Sequence, residues 1–393
     1  MNNGDKRKII SLFSGAGCFD IGFEAAGFKT ILTNDSDSDC CDTIRINRKC
    51  EVLQAPIEEL SSSLISNLSN IKKRELDLLI GGPPCQPYSK SSYGVLGSSY
   101  GFDDSRGQTL RDYFRIVDDL LPKAFIIENV PQFITGDNTR VKTFMESTVA
   151  RINRNRRTNY KLNFCKINAA NYGVPQTRER LFIVASRSGI SFTMPEPRHF
   201  ANPDSELNMQ PMRTAWDAIG DINISRSDRE YLNVGGRWGD LLETIPAGSN
   251  YLWHTERGGG KNIFKWRSRY WNFLLKLHPL LPSWTIAASP GQHTGPFHWE
   301  GRRLSSLELQ LLQTIPADYI ISGGLTSVRK QIGNGVPPAL GELLGKEVRR
   351  QFFGDKVTSE KLKLIPDAKY RPANFNRKYP VIQLSQSRVV AST

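Results

Sequence analysis

Apolar residues along this chain fall into short runs, each stopped by glycine, proline or an acid, and the runs alternate with stretches of helical spacing. Ile9-Ile10-Ser11-Leu12-Phe13 reads as a strand. It leads through a glycine turn into Phe19-Asp20-Ile21-Gly22-Phe23-Glu24-Ala25-Ala26-Gly27, which has helical spacing and a glycine stop. Thr30-Ile31-Leu32-Thr33 is a second strand, followed by a helix running to Asn47. Leu76-Asp77-Leu78-Leu79-Ile80 and Ala124-Phe125-Ile126-Ile127 read as buried strands, with a helix over 109–121 between them. A helix over 140–154, a strand over 162–167 and the strand Leu181-Phe182-Ile183-Val184-Ala185 complete the pattern. Strand, glycine-rich turn and helix form the opening of a nucleotide-type α/β fold.

The ends of these runs hold the chemistry, because ligands of open α/β sheets bind outside the strands' carboxyl ends. Gly81-Gly82-Pro83-Pro84 stops one strand and delivers Cys85 into a loop. An unpaired cysteine is most often a small hydrophobe, so Cys85 draws its interest from its neighbours. Glu128 ends another strand on the same edge, where an acid is costly without work or a partner. Asp35, at the tip of the second strand, stands eighteen residues beyond Gly17, near the spacing at which an acid reaches ribose hydroxyls. Asp35 to Asp39 also precede a helix and read as its cap, and both readings can hold, with Asp37 or Asp39 capping while Asp35 binds. No lysine follows the first glycine turn, which argues against a triphosphate site. The segment 91–107, rich in Ser and Gly, reads as a surface loop or as a lid over substrate. In extended chain Gln176, Arg178 and Arg180 share one face, so their heads can converge on one site or form surface ion pairs.

Composition narrows the field. The 393 residues suggest two domains, and a net charge of +13 favours a polyanionic partner. Six cysteines without a C-x-x-C pair or regular spacing argue against a zinc site and a disulfide framework, and no metal is expected. No signal-like amino terminus or membrane-length apolar run is present, which points to the cytoplasm. All seven tryptophans lie between Trp216 and Trp299, and all five histidines between His199 and His298. That shift marks a second domain from about 200 to 300, with most of its tryptophans forming a core. It also leaves the Cys85 segment without a histidine, against a cysteine-histidine hydrolase. The basic run Arg154, Arg156, Arg157 and Lys161 reads as a solvated face or a phosphate contact.

Six stretches together resemble the cytosine-5 DNA methyltransferase family: Phe13-Ser14-Gly15-Ala16-Gly17, Pro83-Pro84-Cys85-Gln86, Glu128-Asn129-Val130, Gln176-Thr177-Arg178-Glu179-Arg180, Arg303-Leu304-Ser305 with Glu308 and Gln313, and Gly333-Asn334-Gly335-Val336-Pro337. They stand in the family's order over residues 8–350. The resemblance implies a Rossmann-like class I S-adenosylmethionine-dependent methyltransferase fold with a smaller inserted target-recognition domain. It implies methyl transfer from S-adenosylmethionine to carbon 5 of a flipped cytosine in duplex DNA, as in a type II restriction-modification system. By match, Cys85 adds to ring position 6, Glu128 handles the proton at ring position 3, Arg180 holds the base's carbonyl or its phosphate, and Arg178 orients Glu128. Phe13 would stack on adenine, Asp35 bind ribose and Asn334 contact the methionine part, with Ser14, Gly15, Ala16, Gly17, Ser36, Ile57, Pro84, Gly335 and Val336 completing the cofactor site. Gln86, Ser89, Arg237 and Lys261 would contact DNA. The chain departs from the family at Cys18 (usually glycine), at Asp35 (commonly glutamate) and at Ala55-Pro56-Ile57, which lacks the usual adenine-reading aspartate.

The expected organisation is a catalytic and cofactor-binding domain over 1–197, a target-recognition domain over 198–322, a return over 323–353 and an extension over 354–393, either a surface arm or a flexible end. A monomer of a bacterial cytoplasm, acting on the nucleoid beside a cognate endonuclease without a stable complex, is the expected setting. Methylation of transfer RNA by a related branch is an alternative, against which the tryptophan-rich insertion favours a duplex reader. A catalytically silent DNA-binding relative is another; it predicts a damaged Cys85 or Glu128 motif, and both are intact.

Overall fold

The computed structural model describes residues 6–84, 105–135, 139–204, 207, 209–358 and 361–380. Cys85, Gln86, Ser89 and nearly all of the 91–107 segment lie outside the described residues. The chain forms β1 (Lys8–Leu12), α1 (Cys18–Ala25), β2 (Lys29–Asp35), α2 (Ser38–Asn47), β3 (Glu51–Gln54), α3 (Ser62–Ser69), β4 (Leu78–Gly81), α4 (Ser105–Leu120), β5 (Ala124–Asn129), α5 (Thr139–Arg156), β6 (Asn163–Asn168) and β7 (Glu179–Ser186). The seven strands lie in the order β3-β2-β1-β4-β5-β7-β6. The first five are parallel, and β7 runs antiparallel to both β5 and β6.

Alternation along each strand feeds two cores. Ile10, Leu12, Leu79, Phe125, Ile127 and Ile183 face one side, against α3, α4 and α5. Ile9, Leu78, Ile80, Ile126, Phe182 and Val184 face the other, against α1 and a late helix, α11 below. The result is the three-layer, Rossmann-like arrangement expected from the sequence.

Beyond β7 come a two-stranded pair, β8 (His199–Phe200) and β9 (Gln210–Pro211), and the short helices α6 (Ala215–Ile219), α7 (Arg226–Tyr231) and α8 (Gly239–Thr244). Then follow α9 (Ser306–Leu312), α10 (Leu325–Asn334), α11 (Pro338–Phe353) and α12 (Phe375–Lys378). Helix α11 crosses α1 closely because glycines stand at the contact: a Cβ on Gly22 would lie 2.1 Å from the Pro338 carbonyl. A separate core gathers residues between Val234 and Phe297. Another joins Ala16, Cys18 and Ile21 to residues from Ala215 to Ile332. All seven tryptophans pack in or against these two cores.

The described residues beyond α11 include a packed arm that runs from α11 to α6. Glu342, fully buried in α11, accepts the amides of Lys363 and Leu364. Further on, Lys369 N–H donates to Asp217, Trp216 Nε1 donates to the Tyr370 carbonyl, and Phe375 buries its ring 4.4 Å from that of Trp216.

Candidate active site

The strand order reverses between β1 and β4, since the chain builds β2 and β3 on one side of β1 before returning to place β4 on the other. Such a switch point opens a crevice at the carboxyl ends of the strands. A cavity of about 490 Å³ lies there, within the range of small-molecule sites. Of the residues expected to bind cofactor, Phe13, Ser14, Gly15, Asp35, Ser36, Pro84, Asn334, Gly335 and Val336 line it. Ala16, Gly17 and Ile57 do not. Ala16 and Gly17 turn away from it, the Ala16 carbonyl accepting from the Tyr319 hydroxyl and Gly17 starting α1 at φ 70. Ile57 sits in a 3-10 turn with its side chain in the core beneath the sheet.

The turn after β1 is held under strain. Phe13 has φ 52, left-handed for an aromatic residue, a conformation that costs on the order of 1–3 kcal/mol and collects at functional sites. Ser14 fixes it, with both its N–H and its hydroxyl donating to the Asn34 carbonyl. Gly15 follows at φ +52, its N–H 2.7 Å from Asp35 Oδ2, and a Cβ there would meet nothing within 4 Å. Backbone at this position therefore borders open cavity. Asp35 Oδ1 accepts from Asp37 N–H. Burial pushes the Asp35 carboxyl above its ordinary pKa, against the backbone donors of Asp37 and Gly15. Asp37 caps α2 through the amides of Asp39 and Cys40. A hydrogen bond from Lys330, 2.7 Å away, holds its carboxyl below the ordinary range.

On the other side of the cavity, Glu128 and Arg180 form a pair, Nε to Oε1 at 2.7 Å, with each side chain 12% exposed. Gly82 makes room for the acid, since a Cβ there would be 3.2 Å from Glu128 Oε2. Asn129 ties the two strand ends together: its Nδ2 donates to the Pro83 carbonyl, and its Oδ1 accepts from Val130 N–H. The chain entering Cys85 is thus fixed to the residue beside Glu128. Beneath, the buried Tyr113 hydroxyl donates to the Leu79 and Ile126 carbonyls, bracing β4 against β5. Two described cysteines line the cavity, and neither is an activated thiol. Burial pushes Cys18 up to about 12 and Cys40 up as well.

Residues 7–350 match the family described as C-5 cytosine-specific DNA methylase. The chain belongs to that family. It is 33% identical over 369 residues to the type II methyltransferase M.SacI of Streptomyces achromogenes, covering 88% of this chain and 93% of that one. It is 32% identical over 345 residues to the type II methyltransferase M.NgoFVII of Neisseria gonorrhoeae, covering 86% and 85%. Among solved structures, the Entamoeba histolytica methyltransferase EhMeth shares the fold with a TM-score of 0.58 at 15% identity, covering 90% of this chain and all of that one.

In this DNA methylase Gln176 and Arg178 meet, Arg178 Nη1 donating to Gln176 Oε1, while Arg180 points to a different partner. Among the described residues it is Arg180 that is ion-paired with Glu128, the contact expected of Arg178. Arg178, 1% exposed, donates from Nη2 to the carbonyls of Gly333 and Gly335 at 2.7 and 3.0 Å, and from Nη1 to the Ile286 carbonyl. Gln176 donates to Gln313 Oε1, and Gln313 Nε2 donates to the Ile332 and Gly335 carbonyls. Residue 178 lies just before β7, so strand alternation does not govern it. The buried trio Gln176, Arg178 and Gln313 is a joint between the sheet, residues 283–286 and the cavity wall at Gly333 and Gly335. Gln313, Lys330 and Asn129 are positioning residues that the sequence reading left without roles, although Gln313 and Asn129 fall inside the quoted motifs.

Of the expected DNA contacts among the described residues, Arg237 lays its guanidinium 4.4 Å from the Trp238 ring centre and Lys261 is exposed. In the basic run, Arg156 pairs with Asp118 at 2.6 Å. No helix of the described residues is long and apolar enough to cross a membrane, and no three of their His, Cys, Asp or Glu side chains group to hold a metal.

Proposed function

We propose that this DNA methylase is a DNA (cytosine-5-)-methyltransferase that moves a methyl group from S-adenosylmethionine to carbon 5 of a cytosine swung out of duplex DNA. The observation behind this reading is the Glu128–Arg180 pair, open to the cavity beside the strand end that leads into Cys85. The cavity fits the cofactor: it has the size, a strained aromatic and an unobstructed glycine backbone at one wall, and the carboxylate of Asp35 among its polar groups. Phe13, Asp35 and Asn334 would hold adenine, ribose and methionine parts. When bound, the cofactor supplies an electrophilic methyl group on a sulfonium.

The residues then divide the work. Cys85 forms a bond to ring carbon 6, and the ring's electrons move to carbon 5. Glu128, in reach of ring nitrogen 3, supplies or shares the proton that neutralises the developing charge. Arg180 fixes Glu128 in place. After carbon 5 takes the methyl group, loss of its proton and cleavage of the sulfur–carbon bond release product and thiolate. Extrusion of the base is required because carbon 5 and carbon 6 are inaccessible to a side chain within the stack.

The relatives' description as type II methyltransferases supports a modification enzyme as the setting; we read the protein as a monomer of the bacterial cytoplasm, working on nucleoid DNA without a stable complex with its endonuclease. The test uses the full chain, labelled S-adenosylmethionine and mixed-sequence duplex DNA. Transfer that Cys85→Ala abolishes while DNA binding persists is the expected result. Transfer to RNA with none to DNA would overturn the reading.

A further inference from the structure

We propose that a second hollow, distant in sequence from the catalytic residues and lined by Tyr251, Phe264, Tyr270 and Phe273 with Lys265 and Arg267 at its edge, receives an unstacked nucleobase of the DNA other than the cytosine methylated. The proposal rests on the DNA methyltransferase reading above. The hollow measures about 510 Å³. Its floor is three rings set edge to face: Tyr251 and Phe264 centres are 5.7 Å apart at 80°, Tyr251 and Phe273 5.7 Å at 63°, and Phe264 and Phe273 5.8 Å at 89°. The Tyr251 hydroxyl donates to the Arg267 carbonyl, so Tyr251 offers the hollow its ring rather than its polar tip. Tyr270, 50% exposed, stands at the rim.

Charge selects the occupant. Along 263–267 exposure alternates, with Phe264 and Trp266 turned in and Ile263, Lys265 and Arg267 turned out. Lys261, Lys265, Arg267 and Arg269 are all exposed, and none is in an ion pair among the described residues. Some exposed arginines elsewhere are matched, as in Arg45 with Asp42 and Arg156 with Asp118, but this stretch places four unmatched cations within nine residues beside the rings. An aromatic hollow beside a row of unmatched cations is how sequence-tolerant single-strand sites are built: rings stack a base while cations follow the phosphates. An acidic peptide would satisfy the charges but leave the ring-lined space without a planar partner. The neighbours of a base extruded for methylation are the natural source of a second unstacked base.

Two measurements on the full chain test this. In the first, fluorescein-labelled oligo(dT) is bound in solution. Tyr270→Ala should bind about 5-fold or more weakly, Tyr270→Phe should bind as the parent does, and Lys265→Ala should lower the slope of log affinity against log salt by about 0.7. In the second, mixed-sequence duplex carrying 5-iodouracil in place of thymine is irradiated on the protein, and cross-links should map within 251–273. Unchanged oligo(dT) binding by Tyr270→Ala, or cross-links confined to other segments, would overturn the proposal. Methyl transfer by the parent protein to the same duplex, measured in parallel, separates the two readings. With transfer intact, either negative result removes only the hollow; transfer absent from DNA removes the catalytic reading and this one together.

Discussion

Replacing Arg180 by alanine removes one charge pair and leaves the rest of the end of β5 in place. Arg180 Nε is 2.7 Å from Glu128 Oε1, and both side chains are 12% exposed. With an effective dielectric of about 20, unit charges about 4 Å apart attract by about 4 kcal/mol. Removing one partner of a buried pair costs about 3–5 kcal/mol, because the other is left uncompensated. In the proposed mechanism the energy appears as misplacement of the proton-handling group, and such groups contribute about 10²–10⁴-fold to rate. Single-turnover methyl transfer by Arg180→Ala should therefore fall by about 10² or more, with binding of S-adenosylhomocysteine little changed. Glu128→Gln and the double variant complete a thermodynamic cycle. If Arg180 acts through Glu128, the double variant is no slower than Glu128→Gln alone. A double variant slowed by the product of the two single effects would refute the coupling.

Gln313→Leu removes buried hydrogen bonds to the Ile332 and Gly335 carbonyls, which keep Gly335 N–H and Arg178 Nη2 as donors, and takes the Gln313 Oε1 acceptor from buried Gln176 Nε2; a loss of about 1–3 kcal/mol is expected, read from urea unfolding. Phe375→Ala removes a ring that is 4% exposed and packed on Trp216; a loss of about 3–5 kcal/mol is expected, and an unchanged midpoint would show that the arm contributes no packing. Lys276 is 4% exposed, donates to the Leu242 carbonyl, and is held by burial down to about 8 from 10.5. Between pH 8 and 10.5 the unfolded chain keeps a proton the folded chain has released, so stability rises with pH through that window, by on the order of 3 kcal/mol in all. Lys276→Met should flatten that rise and raise the thermal midpoint at pH 7, and an unaltered slope would assign it to another group.

The strands that carry the site were legible because each is a buried apolar run with an abrupt stop. β1, β2, β4 and β5 lie where Ile9-Ile10, Ile31-Leu32, Leu78-Leu79-Ile80 and Phe125-Ile126-Ile127 placed them. Elements with little apolar surface were not. β3 pairs on one side only and shows just Val52 and Leu53, both half-buried, while α3 is a serine-rich helix with a single buried residue, Ile65. The insertion of β7 between β5 and β6 was beyond local reading, since strand order depends on contacts between distant segments. Arg178 shows the same limit at one residue. Period-2 alternation paired it with Arg180, but the strand begins at Glu179, and the chain before it follows the Gln176–Ser283 bridge instead.

That bridge explains why the site's motifs could be found in order while their geometry could not. The cavity wall at Gly333 and Gly335 belongs to the end of α10, yet its carbonyls are held by Arg178 from before β7 and by Gln313 from after α9. Arg178 also reaches the Ile286 carbonyl, and Ser283 exchanges backbone hydrogen bonds with Pro175 and Thr177. Lys330, one turn earlier on α10, crosses to Asp37 at the start of α2. Residues 283–286 and the wall of the cavity are consequently parts of one buried hydrogen-bonded joint. A shift of the segment at 283–286 cannot occur without moving Arg178, and Arg178 cannot move without releasing the buried Gly333 carbonyl and leaving that of Gly335 to Gln313. The arm from Lys363 to Phe375 adds a second tie across the same divide, from Glu342 to Asp217. The cavity is therefore shaped by closure of the whole chain, and the short motifs around it supply groups whose positions are set elsewhere.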